Sequence, residues 1–151
     1  MADSFHPDLA PAHPNLRHVR ADEIDSETAQ SGGMQRFAAI SNATVGSTKL
    51  WMGQTHVQPA TRSADHHHGK AETAIYVVSG APEFVFLDER TGVETRIRAR
   101  VGDYVFVPPY TPHREENTDP VHEAVVVIAR STQEAIVVNL PSLTTDDPPL
   151  G

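Results

Sequence analysis

The strongest constraint on the fold of this chain is a succession of short segments rich in Val, Ile, Phe, Tyr and Thr, separated by turn-forming residues. They span residues 34–40, 49–58, 73–79, 83–88, 94–99, 104–107, 121–129 and 134–140. Many short strands at close spacing are typical of a β-sandwich or a β-barrel, and no segment after residue 30 has a sustained helical period. The sequence therefore predicts an all-β domain.

The length of 151 residues fits one domain with its own hydrophobic core, and no internal repeat indicates a second unit. We predict a β-barrel domain over residues 34–140. Residues 1–33 are expected to be an N-terminal arm and lead-in, in which 22–30 can form one short helical turn. The Pro- and Asp-rich residues 141–151 are expected to be a loose tail.

Charge and composition argue against several classes of function. The formal net charge is −8, which disfavours sequence-independent binding to nucleic acid and binding to an anionic membrane surface. The chain has no cysteine, which excludes disulfides, thiolate metal sites and cysteine nucleophiles. Neither a secretory signal nor an apolar run of about 18 residues is evident, so we expect a cytoplasmic protein.

The most informative stretch is DHHHGKAETAIYVVSG, residues 65–80. His66, His68 and Glu72 all occupy even positions, and alternate side chains of an extended strand share one face. These three side chains can therefore converge on one point. Two imidazoles and a carboxylate form a set that suits Fe(II), Mn, Co, Ni, Cu or Zn.

A second stretch, GDYVFVPPYTPHREEN, spans residues 102–117. Pro108, Pro109 and Pro112 make a rigid corner that cannot pair as a strand. His113 follows this corner directly, so its backbone direction is restricted before any ligand arrives.

The two stretches resemble the two signature motifs of the cupin superfamily, in its small single-domain form. The first family motif is a His-x-His pair, three or four intervening residues, a Glu, and a strand that closes on Gly. The second motif has Gly, Pro, Gly, His and Asn at fixed spacing. The matching positions in this chain are His66, His68, Glu72, Gly80, Gly102, Pro108, His113 and Asn117. The resemblance covers residues 34–140.

This resemblance implies a jelly-roll β-barrel of two antiparallel sheets, with a metal ion held inside near one open end. The implied metal ligands are His66, His68, Glu72 and His113. The implied cofactor is one divalent transition metal ion, Fe, Mn, Ni, Cu or Zn. Cupins of this size are often homodimers, so the expected partners are a second copy of the chain and a small-molecule substrate or ligand.

Two positions depart from the family pattern. Seven residues separate Glu72 from Gly80, one more than the commonest family spacing, so Glu72 either enters the site differently or sits back from the metal. Tyr110 stands where the second motif usually has Gly, which predicts a different local turn without moving His113.

Further polar side chains are candidates for the pocket. Gln54 and His56 share one face of their predicted strand, and one face of each strand lines the interior of a barrel. Tyr76 has the parity of Glu72. We therefore take His56, Tyr76 and Gln54 as candidate catalytic groups, with structural or solvent-facing roles as the alternative. His67 is expected to point away from its two neighbours.

Several other residues are expected to be structural. The aromatic residues of the predicted strands should mostly fill the barrel, because aromatic side chains on strands are usually part of the core. They include Phe84, Phe86, Tyr104 and Phe106. Asn117 is expected to brace its turn, and His122 to lie near the rim of the pocket.

The expected function is that of a metal-dependent enzyme acting on a small oxygen-bearing molecule. The resemblance implies dioxygenase-type oxidoreductase chemistry as the most frequent role of such a ligand set, followed by Lewis-acid isomerase, cyclase or lyase chemistry. The alternative is a non-catalytic cupin that binds a small molecule. Fold alone does not decide between these functions.

Overall fold

The computed structural model describes residues 14–144, which are almost entirely β-structure. The strands are β1 (Met34–Ile40), β2 (Trp51–Val57), β3 (Thr61–Arg62), β4 (His66–His67), β5 (Thr73–Ser79), β6 (Glu83–Leu87), β7 (Glu94–Arg98), β8 (Tyr104–Val107), β9 (His113–Asn117), β10 (Ala124–Arg130) and β11 (Val138–Asn139). Helical structure in this range is confined to a 3-10 turn, Ala21–Glu23, and the short helix α1, Asn42–Val45. None of these described helices is long and apolar enough to cross a membrane.

The strands form two antiparallel sheets. The first sheet has the order β1-β2-β10-β5-β8, and the second has the order β11-β4-β9-β6-β7 with β3 paired to β9. Neighbours such as β2 and β10 are distant in sequence, so the chain passes repeatedly from one sheet to the other. This is a jelly roll, which confirms the predicted fold class.

One face of each sheet is buried against the other sheet. Along β5, Thr73, Ile75 and Val77 are buried, whereas the alternate residues are exposed, as the two-residue period of a strand requires. The main core cluster joins side chains from both sheets and consists of Ile75, Val77, Phe84, Ala99, Val107 and Val126. Full burial of one such aliphatic or aromatic side chain contributes about 1.5–3 kcal/mol, so this cluster is what holds the sheets together.

The hydrophobic pattern located most of the longer strands. The predicted segments 34–40, 73–79 and 104–107 have the same bounds as β1, β5 and β8. The predicted strand 134–140 contracts to the two residues of β11. The helical turn predicted within 22–30 is a 3-10 turn, Ala21–Glu23, that begins one residue earlier.

Three strands were missed because they lack the signal on which the prediction depends. β3 and β4 have only two residues each, too few to show a period. β9 has the sequence HREEN, which contains no apolar residue, although it lies at the centre of the second sheet. A strand with polar groups on both faces shows no alternation of apolar and polar residues.

The ends of the chain carry predictions that the structure does not reach. Residues 1–13 of the predicted arm and lead-in lie outside the described residues. The same holds for residues 145–151 of the predicted tail.

The expectation that the strand aromatics fill the barrel is only partly correct. Phe84 is buried in the core, but Tyr104 and Phe106 are 79% and 58% exposed. In β8 the inward positions belong to Val105 and Val107, so the two aromatic residues point to the outer face of the first sheet. Tyr104 packs there against Tyr76, with the ring centroids 4.9 Å apart.

Asn117 braces the end of β9 from inside the protein. It is 1% exposed, and its Nδ2 donates to the carbonyl oxygens of Val57, Gln58 and His122 at 2.9–3.2 Å. Its Oδ1 accepts a hydrogen bond from the backbone N–H of Asp119. One buried amide thus ties the end of β2 to the turn between β9 and β10, in agreement with the predicted structural role.

We therefore expect Asn117→Ala to lower the free energy of unfolding by about 2–4 kcal/mol, because each buried polar group left unpaired costs about 1–3 kcal/mol. The measurement is denaturant unfolding of chelator-treated protein, so that metal binding does not contribute to stability. Asn15→Ala is the matched control, since that residue is exposed and only its backbone oxygen accepts a hydrogen bond. Equal unfolding midpoints for the two variants would contradict the bracing role.

Candidate metal centre

Two neighbouring strands of the second sheet bring four ligand-type side chains together. His66 on β4 is the cross-strand partner of His113 on β9. Glu115 follows His113 by two residues on β9, so both side chains project from the same face of the strand. His68 follows β4 directly and has the parity of His66. The four side chains therefore face the interior between the sheets.

The donor atoms of these four residues converge. One ligand atom from each of His66, His68, His113 and Glu115 lies within 4.8 Å of all the others. The centroids of the three imidazole rings are 4.5–5.0 Å apart. Since metal–nitrogen and metal–oxygen bonds are about 2.0–2.2 Å long, opposite ligands of one ion are separated by about 4.2 Å, and only a small contraction is needed to close the set.

Backbone carbonyl groups fix the orientation of all three imidazoles. The Nδ1 atoms of His66, His68 and His113 lie 2.6–2.8 Å from the carbonyl oxygens of Ala64, Ile136 and Thr111, in that order. A carbonyl oxygen only accepts hydrogen bonds, so each Nδ1 carries a proton, and in the neutral form of each ring Nε2 has a free lone pair. Such a second hydrogen bond is typical of metal-binding histidines, because it sets both the tautomer and the ring orientation.

The Nε2 atom of His113 is buried and has no hydrogen-bond partner among residues 14–144. It lies 3.4 Å from Oε1 of Glu115, but the two atoms do not have hydrogen-bond geometry. A buried nitrogen lone pair without a partner is costly unless something binds it. A metal ion bound by the cluster would pair with this atom, so the residues present fit the implied cofactor.

The electrostatics of the cluster suit a cation. Burial lowers the pKa of His66, and it lowers the pKa of His68 to about 4, so both rings are neutral near pH 7. Burial would raise the pKa of Glu115, but the contact with His113 holds that pKa below its usual range. The pKa of His113 is lowered by burial, and the neighbouring Glu115 carboxylate more than reverses this and raises it. The cluster thus offers two neutral imidazoles, those of His66 and His68, beside an ionised carboxylate, and a metal ion would compete with a proton for His113.

A cavity of about 430 Å³ opens beside the cluster, between the two sheets. His66, His68 and Glu115 line one part of it. An apolar wall is formed by Ile75, Phe84, Val126 and Ile128, and polar groups are contributed by Thr55, Thr73, Arg36 and Arg130. The volume lies in the range of pockets that hold drug-sized molecules.

The structure corrects the predicted position of Glu72. This residue is exposed, does not line the cavity and does not belong to the ligand cluster. It immediately precedes β5, on which odd-numbered residues face inward, so its even parity directs it outward. Thr73 takes the inward position instead, and the six residues between Thr73 and Gly80 give the commoner family spacing.

Glu115 supplies the carboxylate that the first motif does not. It comes from the strand of His113 and not from the strand that follows His68. The available signal in the sequence was the spacing His-x-Glu, which places two donors on the same face of a strand. The sequence did not identify Glu115 as a ligand because β9 has no alternation of apolar and polar residues, and because the family motif already assigns the carboxylate to Glu72.

The three candidate catalytic groups lie on the outer face of the first sheet. On β2 the buried residues are Trp51, Gly53, Thr55 and Val57, so Gln54 and His56 face away from the cavity. His56 lies 3.3 Å from Glu123 and packs against Phe37. Tyr76 faces outward as well and contacts Tyr104. The expectation that these residues line the pocket is therefore corrected, and Thr55 is the polar residue of β2 that does so.

The remaining predicted positions are also settled by local contacts. His67 is buried on the side away from the cavity, and its Nδ1 accepts the backbone N–H of Gly69. The side chain of His122 is 77% exposed and lies 3.2 Å from Asp119. Tyr110 has φ of 58°, the left-handed conformation that Gly favours, so the corner before His113 keeps a backbone shape typical of Gly despite the substitution.

Comparisons with known proteins agree with this architecture. The family model described as "Cupin domain" matches residues 53–129. Protein SchB of Streptomyces halstedii is 30% identical over 110 residues, which cover 73% of this chain and 74% of that protein.

Solved structures show the same fold at lower identity. The polyketide cyclase RemF from Streptomyces resistomycificus is similar with a TM-score of 0.67 and 19% identity, over 87% of this chain and 89% of that one. A mutant of Bacillus subtilis oxalate decarboxylase is similar with a TM-score of 0.62 and 23% identity over 76% of this chain. The chain spans only 30% of the length of that decarboxylase. From the matched family model and the SchB relative, we conclude that this chain belongs to the cupin family.

Proposed function

We propose that this protein is a metal-dependent enzyme that acts on a small oxygen-bearing molecule by cyclase-type chemistry. The substrate class is an enolisable compound with several carbonyl groups. The observation that carries the proposal is the cluster of three oriented imidazoles and one ionised carboxylate at the wall of a 430 Å³ cavity.

His66, His68, His113 and Glu115 are the residues that would hold the ion. When bound, a divalent ion at such a site supplies Lewis-acid polarisation of a carbonyl oxygen. The apolar wall keeps water from the carbon skeleton of the substrate, and the hydroxyl groups of Thr55 and Thr73 are available to orient its oxygens.

The size of the cavity favours a substrate larger than a two-carbon acid. Oxalate decarboxylase and oxalate oxidase are among the proteins of similar fold, but a cavity of about 430 Å³ is far larger than oxalate requires. RemF matches this chain over nearly the full length of both chains and is a polyketide cyclase. The oxalate decarboxylase matches over only 30% of its own length. The match to nearly the whole of RemF therefore supports a cyclase over an oxalate-converting enzyme.

The first prediction distinguishes the two candidate carboxylates. We expect the wild-type protein to hold about one divalent transition metal ion per chain and Glu115→Gln to bind it at least about 100-fold more weakly, because even outer partners of metal ligands are worth about 10–100-fold. Glu72→Gln is the matched control and should bind metal like the wild type, since Glu72 is exposed outside the cluster.

Metal content is measured by inductively coupled plasma mass spectrometry, and affinity by competition with a chromogenic chelator, on protein without a histidine tag. The His66→Ala/His113→Ala double variant sets the baseline without metal. The opposite result, in which Glu72→Gln loses the metal and Glu115→Gln retains it, would show that Glu72 is the ligand and refute the ligand set proposed here.

The second prediction concerns the reaction. Under argon in D₂O, zinc-loaded protein should accelerate exchange of the methylene protons between the ketone groups of methyl 3,5-dioxohexanoate by about 10²-fold or more over buffer. Proton NMR follows the exchange, and Glu115→Gln should abolish the acceleration. A wild-type protein that holds zinc but leaves the exchange at the buffer rate would be a binding cupin and not an enolising enzyme.

Dioxygenase-type chemistry is the second candidate, because imidazoles with one carboxylate also suit Fe(II). It predicts that iron-loaded protein consumes oxygen in the presence of the same diketone and that zinc-loaded protein is inert. An oxygen electrode reading with both metals separates the two functions. Activity of the zinc form without oxygen uptake supports the cyclase proposal.

A further inference from the structure

We propose that Arg36 and Arg130 form an anion-binding subsite in the cavity and that the substrate carries a carboxylate which this pair binds. The inference rests on the proposed function, since it specifies the substrate of the same site. In this proposal, the first sheet binds the negative charge of the substrate. The second sheet carries the metal-ligand cluster.

The two arginines project from inward positions on separate strands. Arg36 on β1 lies opposite Thr55 on β2, and Thr55 is buried. Arg130 at the end of β10 lies opposite Trp51 and Thr73. These side chains all lie on the face of the first sheet that is directed towards the second sheet. Arg36 and Arg130 both line the cavity.

Neither guanidinium is neutralised by a carboxylate in the part of the protein that the structure describes. Within residues 14–144, no carboxylate oxygen lies within 4.0 Å of Arg36 or Arg130. By contrast, three arginines of the second sheet are paired with carboxylates, namely Arg96, Arg98 and Arg114. Among the acidic residues at the cavity, Glu115 belongs to the ligand cluster and Glu116 pairs with Arg96 and Arg114. Arginine inside a protein usually pairs with an anion, so the missing partner indicates an external one.

Arg130 is held in a fixed orientation. Its guanidinium carbon lies 4.0 Å above the centroid of the Trp51 ring, and Nε and Nη2 donate to the carbonyl oxygens of Thr132 and Gln133. Both N–H groups of Nη1 have no acceptor among the described residues. The group is therefore oriented in advance and retains donors for a ligand, which reduces the entropy lost on binding.

Space for this arrangement comes from Gly53. A Cβ atom at this position would lie 2.7 Å from the Trp51 ring and 2.1 Å from the carbonyl oxygen of Phe37. Only Gly therefore lets the indole lie flat along β2 beneath Arg130.

Arg36 provides a second set of donors near the first. Its Nη1 donates to Ser31 Oγ at 2.8 Å, while Nε and Nη2 have no acceptor within residues 14–144. Burial, and then the charge of Arg36, lower the pKa of Arg130 to about 10, and the same charge contributes to lowering the pKa of His66. The two cations thus influence each other and the ligand cluster, and an anion between them relieves this repulsion.

The hydroxyl of Thr55 completes the subsite. Its Oγ1 atom is buried, lines the cavity and has no hydrogen-bond partner in the described part of the chain. A carboxylate that accepts hydrogen bonds from Arg36 and Arg130 can also accept one from this hydroxyl, which would otherwise stay unpaired at a cost. A carboxylate has enough lone pairs for all three donors.

The test is calorimetric titration with 2-naphthoate and with its uncharged analogue 2-naphthamide, on zinc-loaded and on chelator-treated protein. We expect the wild type to bind naphthoate at least tenfold more tightly than naphthamide in both forms. Arg36→Gln and Arg130→Gln should each lose at least tenfold in affinity for naphthoate and change the affinity for naphthamide by less than threefold. Arg90→Gln, in an exposed turn, is the control and should keep the wild-type preference.

Arg130→Lys is the control for a variant that loses binding only because its structure is disturbed. It keeps the positive charge, so it should retain part of the preference for naphthoate that Arg130→Gln loses. Equal binding of the two ligands by wild-type protein would overturn the subsite. So would a preference for naphthoate that requires zinc and survives both arginine substitutions, because the carboxylate would then bind at the metal. These results do not depend on turnover, so failure of the subsite is distinguishable from failure of the proposed cyclase activity.

Discussion

The pairing of β4 with β9 in the second sheet is the constraint on which the site depends. It sets His66 opposite His113, and the parity of β9 then brings Glu115 to the same face. Backbone carbonyls at Ala64 and Thr111 orient the two imidazoles so that their Nε2 lone pairs face inward. The ligand cluster is therefore built mainly by main-chain geometry, and β9 is held in place because β6 pairs with it from His113 to Glu116.

The opposite sheet contributes a different chemistry to the same cavity. Its inward face carries apolar side chains in the middle, with the guanidinium groups of Arg36 and Arg130 beside them. Neither group has a carboxylate partner within residues 14–144. A substrate lying between the sheets would meet the ligand cluster on one side and a positive field on the other. This division agrees with a molecule that has both a reactive carbonyl and an anionic group, which is the substrate class proposed above.

Sequence reasoning was accurate where the signal was local. The bounds of β1 and β5 follow from the run of apolar residues, and the three histidines follow from two motifs with fixed spacing. It failed for β9, whose residues are polar on both faces, and for the orientation of β2, where Gln54 and His56 face outward. Alternation shows that two faces differ, but on a mixed strand it does not show which face is buried. The predicted homodimer stays a prediction.

The sequence by itself determined the fold class, the family and the histidines of the ligand cluster, because strand propensity and motif spacing depend only on near neighbours along the chain. Only the tertiary structure decided that the carboxylate is Glu115 and not Glu72, and that Arg36 and Arg130 share a cavity. Both facts depend on strand register, since a shift of one residue exchanges the inner and outer faces of a strand. Register is set by pairing between strands that are distant in sequence, such as β2 with β10 and β4 with β9.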